Sequence, residues 1–298
     1  MTVAQRVLDA ILAGSPATLA GRARLKAAIE ARKLLIRLGD PVVRCRVGDA
    51  NLALPLSHEL PFYRKDHPLY GEAVGRIAAA LGGPVVDIGA NVGDTAAIVR
   101  GHTDVPVLCV EGDPLFFELL ARNAAQLGDV ELEHAFVEAP EVGRVERARG
   151  TARVAAGATE LRGKPLPRIL ADHPRFAEPA LVKLDTDGMD VSILTANLDL
   201  LERVRPVLFF EYDPHLGATP EVFVALSHKG YERAIVFENT GEYRETVELA
   251  DTARIDALHG EYTGHGGRRY VDVCVLPEGA ETPVNALLAR GGSARPLG

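Results

Sequence analysis

The segment VVDIGANVGDT, residues 85–95, constrains the fold of this chain more than any other. Three of its first four residues are β-branched and apolar, which predicts a short buried strand after the break at residues 82–84. The strand ends at Gly89, and Asp94 and Thr95 suit the first turn of a helix. A strand that turns directly into a helix through glycines is typical of nucleotide-binding α/β folds, because the backbone there is open to a ligand.

The spacing of the two glycines narrows the class of ligand. Dinucleotide-binding folds show G-x-G-x-x-G, whereas this chain has Gly89-x-x-x-Gly93 with Asn91 in place of the middle glycine. A carboxylate at Asp87 suits a cationic or amino ligand better than a pyrophosphate. The segment therefore favours S-adenosylmethionine over NAD. An NAD-dependent oxidoreductase and a strand–helix turn without any ligand are the alternatives. The candidate cofactor-binding residues in this segment are Asp87, Gly89, Ala90, Asn91 and Gly93.

Composition and charge bound the class of protein. The chain has 298 residues, 47% of them hydrophobic, which suffices for one domain with an extension. No apolar run is long enough for a membrane span, and a net charge of −8 argues against a nucleic-acid-binding protein. The N-terminus shows no uninterrupted signal-peptide core. The three cysteines, Cys45, Cys109 and Cys274, are far apart in apolar runs and predict reduced core thiols in a cytoplasmic protein.

Residues 1–40 predict a helical N-terminal arm with helices near 3–13 and 17–38. The arm carries seven Lys and Arg against three Asp and Glu. It is a packing element with a solvated basic face, an appendage for homo-oligomer formation, or a basic surface for an acidic partner.

Residues 41–84 predict a connecting region with three parts. Alternating apolar residues around Gly48-Asp49 predict a hairpin, and a helix is expected near 71–82. Between them, residues 57–70 are rich in histidine and tyrosine, which indicates either a lid of the active site or an ordinary surface loop.

From residue 85 onward strands alternate with helices, which predicts a doubly wound, mostly parallel seven-stranded sheet. Residues 85–278 are assigned to this catalytic domain, with 141–168 as an inserted hairpin and loop, 240–269 as a charged, glycine-rich excursion and 279–298 as a loose tail. The predicted strands lie near 85–89, 106–111, 130–137, 181–186, 207–212, 233–239 and 270–276, and the helices near 93–101, 114–128, 188–203 and 219–229.

Ligands of open α/β sheets lie at the carboxyl ends of the strands. Glu111 ends the second strand 22 positions after Gly89, where an acidic side chain accepts hydrogen bonds from both ribose hydroxyls. Asp113 is expected to cap the next helix, whereas Glu111 has no structural task in the sequence. Glu111, with Gly112 and Asp113 beside it, is thus the candidate ribose-binding site. His134, after the third strand, is expected either at the adenine edge or on the surface.

The fourth and fifth strands end in charged residues, in the sequences KLDTDG (183–188) and FFEYDPH (209–215). Charges at the end of a buried strand are costly unless they are used or paired. Since these strands are expected to be neighbours, their carboxylates can converge to bind Mg²⁺ or to supply a general base. Alternatively, Lys183 pairs with Glu211 and the aspartates cap the following helix. The candidate metal ligands are Asp185, Glu211 and Asp213, and the candidate catalytic residues are Asp185 and Asp187, then His215 and His134. Asp185 is also a candidate cofactor-binding residue.

Taken in order, three segments resemble the FkbM-type S-adenosylmethionine-dependent methyltransferases over about residues 85–212. They are VDIGANVG (86–93), VEGDP (110–114) with Asn123, and KLDTDG (183–188) with Glu211. The resemblance implies a class I methyltransferase fold and O-methylation of a hydroxyl, typically on a sugar or a polyketide-derived product. It places Asp87, Gly89, Asn91 and Gly93 along the methionine moiety and Glu111 at the ribose. The family commonly has a valine-glutamate pair where this chain has Thr186-Asp187.

The expected reaction is an in-line displacement at the sulfonium methyl, for which the protein supplies alignment and proton removal. Acceptor specificity is expected in the segments 57–70, 141–168 and 240–269. His58, Tyr63 and Lys183 are the candidate substrate contacts, and His58 is also the third choice of base. A non-catalytic scaffold protein with the cofactor fold is the remaining alternative. The basic residues of these segments suit an acidic sugar such as a uronate or form solvated surface: Arg64, Lys65, Arg168, Arg268 and Arg269.

Overall fold

A computed structural model describes residues 1–15, 17–139, 142–148, 150–263 and 270–280 of the chain. Most of the predicted tail, together with Arg268 and Arg269, lies outside the described residues. Within the described ranges, no helix combines the length and the apolarity needed to cross a membrane.

The order of helices and strands follows the predicted alternation, with differences at five places. The strand predicted at 130–137 is two strands that belong to different sheets, and the helix Leu166–Asp172 was not predicted. The predicted helix at 188–203 is two helices that meet at Asn197, whose side chain donates to the Ile193 carbonyl. A short helix occupies part of segment 57–70, and the region predicted as an excursion contains a strand and a helix. The helices are α1 (Val3–Leu12), α2 (Leu19–Arg37), α3 (Leu60–Asp66), α4 (Glu72–Leu81), α5 (Asp94–His102), α6 (Pro114–Ala124), α7 (Leu166–Asp172), α8 (Asp190–Ala196), α9 (Leu198–Val204), α10 (Glu221–Ser227) and α11 (Thr252–Thr263). The strands are β1 (Val42–Val47), β2 (Ala50–Pro55), β3 (Val85–Ile88), β4 (Val107–Glu111), β5 (Val130–His134), β6 (Phe136–Val137), β7 (Val142–Ala148), β8 (Thr151–Glu160), β9 (Gly163–Lys164), β10 (Leu181–Leu184), β11 (Val207–Tyr212), β12 (Tyr231–Glu238), β13 (Tyr243–Glu248) and β14 (Val271–Pro277).

The central sheet has eight strands in the order β13-β12-β14-β11-β10-β3-β4-β5. Strands β11, β10, β3, β4 and β5 pair in parallel, and β14 runs antiparallel to both β11 and β12. The α/β class and the mostly parallel sheet are confirmed, but the predicted number of seven strands is wrong. The additional strand is β13, a mostly polar edge strand with Val247 as its buried residue. Polar edge strands lack the apolar alternation that reveals a strand in a sequence.

The sheet separates two apolar cores. Val85 and Leu181 point into the core on the side of α4 and α5, whereas Val86 and Val182 point into the core on the opposite face. Strands β3 and β10 are buried along their whole length, which explains their nearly continuous apolar sequences.

The hairpin β1–β2 is joined to the catalytic domain by Asn123 of α6. The Asn123 side chain exchanges hydrogen bonds of 2.7 and 2.9 Å with the backbone of Ala53 and donates to the Val92 carbonyl at 2.8 Å. Helix α1 packs on this hairpin through Leu8, which is 1% exposed. Helix α1 and the hairpin β1–β2 are therefore connected through Asn123 to the turn that follows β3.

Candidate active site

A cleft lies at the carboxyl ends of β3, β4 and β10, where the sequence predicts the cofactor. Its empty space is about 530 Å³, part of it open to solvent. The hairpin β7–β8, from the predicted insert, contributes Ala152 and Val154 to the wall. Of the candidate cofactor-binding residues, Gly89, Asn91, Glu111, Gly112 and Asp185 line the cleft, whereas Asp87, Ala90, Gly93 and Asp113 are buried around it.

The turn after β3 depends on glycine at position 89. Gly89 has φ +77°, and a Cβ atom there would lie 1.9 Å from the carbonyl oxygen of Asp185. Only glycine permits this approach, so β3 and β10 end side by side. Gly93 serves packing, because a side chain there would meet Leu120 of α6 at 3.0 Å.

Asn91 joins the turn to the hairpin and to Glu111. Its backbone N–H donates to Glu111 Oε2 at 2.8 Å, and its Nδ2 donates to the Gly150 carbonyl at 2.7 Å. The Oδ1 of Asn91 lies 3.2 Å from Nε2 of His58, while Nδ1 of His58 accepts the N–H of Leu60. His58 therefore donates to Asn91 from Nε2 as a neutral ring, and burial lowers its pKa. This arrangement makes His58 a positioning residue for Asn91, whereas the sequence suggested a substrate contact or a base.

Glu111 is buried, with 7% of the residue exposed. Its Oε1 accepts the N–H of Asp113 at 2.7 Å and its Oε2 accepts that of Asn91. The expectation that Glu111 has no structural task is thus wrong, because it holds both the β3 and β4 turns. Burial raises the pKa of Glu111 to about 7, against the opposing effect of the two N–H donors. A carboxylate has about four acceptor positions, so two remain for ribose hydroxyls.

Asp113 caps α6, as predicted. Its Oδ1 accepts the N–H groups of Leu115 and Phe116 at 2.8 and 3.1 Å. Its Oδ2 lies 2.5 Å from Nε of Arg147 on β7, which ties the hairpin to the cleft. Asp113 is fully buried, so its oxygens support α6 and the hairpin.

The part of the cleft next to Glu111 has an apolar wall, which Phe136 and its neighbours form. The Phe136 ring lies against Gly112 so closely that a Cβ there would be 2.2 Å from the ring. Ala135 and Val137 line the same part of the cleft. His134 does not line it: its ring stacks on Phe117 with 4.3 Å between centroids, and its Nε2 lies 3.2 Å from the Gly112 carbonyl oxygen.

Asp87 and Lys183 form a buried ion pair between β3 and β10. The two residues face each other in the strand register, and Lys183 Nζ lies 3.1 Å from Asp87 Oδ1. Lys183 is also 3.5 Å from Asp185 Oδ2. Asp87 is fully buried and Lys183 is 6% exposed. The suggested pairing of Lys183 with Glu211 is wrong, and Lys183 itself is not among the residues that line the cleft.

Two candidate catalytic carboxylates, Asp185 and Asp187, line the cleft at the end of β10. The side chain of Asp185 is 44% exposed. Burial and the neighbouring Asp185 carboxylate raise the pKa of Asp187 to about 7. Asp187 also has φ +52°, a conformation that few residues other than glycine adopt.

The candidate metal ligands do not gather into one site. Asp185 lines the cleft, whereas Glu211 and Asp213 line a second, smaller hollow with Asp190. Asp213 Oδ1 accepts the N–H of His215, and His215 itself is exposed. In the part of the chain that the structure describes, no three His, Cys, Asp or Glu side chains are arranged to hold a metal ion.

The segment 57–70 places tyrosines near the carboxylates of β10 and β11. The ring centroids of Tyr63 and Tyr70 are 5.4 Å apart. Tyr270 interacts electrostatically with Glu211, Asp185 and Tyr63, and burial raises its pKa. Arg64 and Arg168, considered for an acidic sugar, lie near Glu72 and Asp172 respectively.

Sequence reasoning missed Phe136, which lines the cleft, Asp190, which lines the smaller hollow, and Asp272, which stands opposite Glu211 on β14. Phe136 follows β5, and its apolar side chain gives no polar signal of the kind that His134 gives. Asp272 stands at an alternate position in the apolar strand VDVCVLP, a signal as visible as that of Lys183. The contact of Gly150 with Asn91 depends on a separation of 59 residues and leaves no pattern in the sequence.

Comparisons with known proteins place the cleft within a recognised domain. Residues 87–233 match the methyltransferase FkbM domain. No curated protein matches the chain. Among solved structures, an FkbM methyltransferase from Methylobacillus flagellatus is 18% identical with a TM-score of 0.36, over 50% of this chain and 38% of that protein. An O-methyltransferase from Bacillus cereus in complex with SAH is 10% identical with a TM-score of 0.40, over 69% of this chain and 80% of that protein. TYW2 from M. jannaschii in complex with AdoMet is 11% identical with a TM-score of 0.41, over 80% of this chain and 88% of that protein. The chain thus spans little more than a third of the Methylobacillus protein.

Proposed function

The chain carries a methyltransferase FkbM domain at residues 87–233, and from this premise we propose that it methylates a hydroxyl of a sugar or of a glycosylated or polyketide-derived product. The domain match supports an S-adenosylmethionine-dependent methyltransferase, and the mostly parallel sheet agrees with the class I fold. The oxygen acceptor, its chemical class and the catalytic base are our proposal.

The observation that carries the proposal is the position of Glu111 beside an open glycine turn. The cleft offers a carboxylate, an accessible backbone at Gly89 and an apolar surface at Phe136. These groups fit the ribose, the methionine moiety and the adenine of S-adenosylmethionine in that order. When bound, this cofactor supplies a methyl group already activated on a sulfonium sulfur. The protein therefore has to align the acceptor and remove its proton.

Asp187 is the best candidate for the base. It lines the cleft, and a pKa near 7 suits proton removal at neutral pH. Asp185 shares Lys183 with Asp87 and is better suited to orient the amino group of the cofactor. The nitrogens of His58 face Asn91 and Leu60, and neither His134 nor His215 lines the cleft. We therefore assign the acceptor proton to the Asp187 carboxylate.

Two measurements test the proposal in sequence. Isothermal titration with S-adenosylhomocysteine and with NAD is expected to show binding of the former alone. A methyl-transfer assay over glycan acceptors is then expected to show turnover that Asp187→Asn abolishes while S-adenosylhomocysteine affinity stays within about twofold of the wild type. The same assay with Mg²⁺ and with chelator determines whether a metal assists. Preferential NAD binding contradicts the cofactor assignment, and unchanged turnover of Asp187→Asn contradicts the assignment of the base.

A further inference from the structure

A second hollow adjoins the cofactor cleft on the other side of the loop 185–190. Its empty space is about 200 Å³, and Asp190, Glu211 and Asp213 line it together with Gly188 and Leu216. The cleft takes its wall from Asp185, Asp187 and Met189 of the same loop, so one short segment separates the two spaces. A group bound in the hollow thus lies next to the proposed methyl-transfer site.

Asp190 has one carboxylate oxygen without a partner. Its Oδ2 accepts the Thr186 hydroxyl at 2.8 Å, while Oδ1 is buried and has no hydrogen-bond partner among the described residues. Asp190 is 2% exposed. A buried oxygen without a donor is costly to the folded protein, which indicates that a ligand supplies the donor.

Glu211 and Asp272 stand directly opposite each other across the pair β11–β14. Both therefore point to the same face of the sheet, and like charges in this position destabilise it. Neither side chain forms a hydrogen bond or an ion pair within the described residues. Burial and the nearby Asp185 carboxylate raise the pKa of Asp272 to about 8 and hold that of Glu211 well above its ordinary value.

The nearest cation is already used. Lys183 lies on the same face of the sheet, but it pairs with Asp87 and Asp185. The amino group of the methionine moiety has Asp185 and Asp187 available in the cleft, whereas Asp190 and Glu211 line the hollow. Asp213 is occupied by the N–H of His215. The carboxyl groups of Asp190 and Glu211 in the hollow are therefore left without a cationic partner, and cofactor binding in the cleft does not supply one.

We propose that this hollow binds the protonated amine of the acceptor, so that the substrate is a hydroxylated amine such as an amino sugar. The inference rests on the proposed function and names the substrate class of the same site. An ammonium group supplies three donors and a positive charge, which matches the orphan oxygen of Asp190 and the carboxyl group of Glu211, both of which line the hollow. A uronate would add a further negative charge to these carboxylates and would be repelled.

One tyrosine, Tyr270, lies within electrostatic reach of Glu211, which lines the hollow, and suits the same ligand. Aromatic faces attract an ammonium group and also pack against the apolar face of a sugar ring.

The test compares three sugars that differ in charge, with the protein loaded with S-adenosylhomocysteine. Ligand-observed NMR gives dissociation constants for glucosamine, N-acetylglucosamine and glucuronate. Glucosamine is expected to bind at least about tenfold more tightly than the other two, equivalent to about 1.4 kcal/mol. Glu211→Gln is expected to reduce this preference to within about twofold. Glu118→Gln, which changes an exposed carboxylate on α6, provides the matched control and is expected to keep it.

Each other result decides against the inference. Equal or tighter binding of glucuronate overturns it, as does the absence of binding by all three sugars to protein that binds S-adenosylhomocysteine. Displacement of glucosamine by submillimolar Mg²⁺ would assign the hollow to a metal ion instead. If Glu211→Gln does not fold, Asp272→Asn replaces it with the same expectation. Failure to bind S-adenosylhomocysteine is a separate outcome, which rejects the proposed function itself.

Discussion

The carboxylates on the two sides of the loop 185–190 differ in their partners. On the cofactor side, Glu111 accepts two backbone N–H groups, Asp113 caps α6 and binds Arg147, and Asp87 pairs with Lys183. On the other side, Asp190 has an orphan oxygen and Glu211 faces Asp272. Both groups are largely buried at the carboxyl edge of one sheet.

This difference indicates which half of the site has partners for its carboxylates before a ligand binds. Glu111 and Asp113 have protein donors on both carboxylate oxygens, and polar groups with such partners hold a binding site in place, so this part of the cofactor side is preorganised. The opposite side keeps buried carboxylates that become stable only when a donor or a cation arrives. The carboxyl groups on the side where we place the amine of the acceptor therefore lower the stability of the protein while no ligand is bound.

The largest expected effect breaks the cofactor side at its buried ion pair. Lys183→Met leaves the Asp87 carboxylate buried without a counter-charge, and the free energy of unfolding is expected to fall by about 3–5 kcal/mol. The double variant Lys183→Met with Asp87→Leu should recover most of this loss. Chemical denaturation followed by circular dichroism measures both.

The control for this prediction is Lys229→Met, which removes a surface lysine paired with Asp199 and Glu202. Its cost should be a small fraction of that of Lys183→Met, because an exposed ion pair is solvated and screened. An equal loss in the two single variants would show that burial of the Lys183 pair has no special consequence.

Glu111→Gln should have the next largest effect, on cofactor affinity. The substitution removes the charge that strengthens two hydrogen bonds to the ribose, each worth about 1.5–3 kcal/mol. We expect S-adenosylhomocysteine to bind about 100-fold more weakly by titration calorimetry. Glu118→Gln serves again as control, and an affinity loss below about threefold would remove Glu111 from the ribose site.

The pH dependence of cofactor binding sharpens the same contrast. Since the pKa of Glu111 is about 7, the side chain is mostly protonated at pH 6 and ionised at pH 8. Only the ionised form accepts both ribose hydroxyls, so S-adenosylhomocysteine affinity should rise about tenfold between these values. The rise should persist in Asp187→Asn, which removes the other carboxylate of the cleft with a pKa of about 7. If the rise disappears in Asp187→Asn but persists in Glu111→Gln, the pH dependence comes from Asp187 and the prediction for Glu111 is wrong.

The smallest expected effect is a gain in stability on the acceptor side. Asp272→Asn removes one of two opposed carboxylates and is expected to stabilise the protein by about 0.5–1 kcal/mol at pH 8. The native pKa of about 8 lies above the unfolded value, so the native state holds its proton longer and stability falls as pH rises from 4 to 8. The variant should show a shallower fall in thermal unfolding. A destabilised variant would mean that Asp272 has a structural partner.

The sequence determined the frame of the site because local chemistry specifies it. β-Branched runs ending at glycine predict β3, and the spacing from Gly89 to Glu111 predicts an acidic residue at the end of β4. Asp113-Pro114 predicts the start of α6 for the same reason, since a cap acts on its own helix. These signals operate within one strand, one turn or one helix start.

Tertiary structure alone decided how the charges are paired. Lys183 meets Asp87 and not Glu211 because β10 lies between β3 and β11, and the register sets residue 183 against residue 87. The position of the β7–β8 hairpin over the cleft and the engagement of His58 with Asn91 likewise depend on contacts between distant segments. Strand order and register are set by the packing of the whole core, and no short stretch of sequence contains that information.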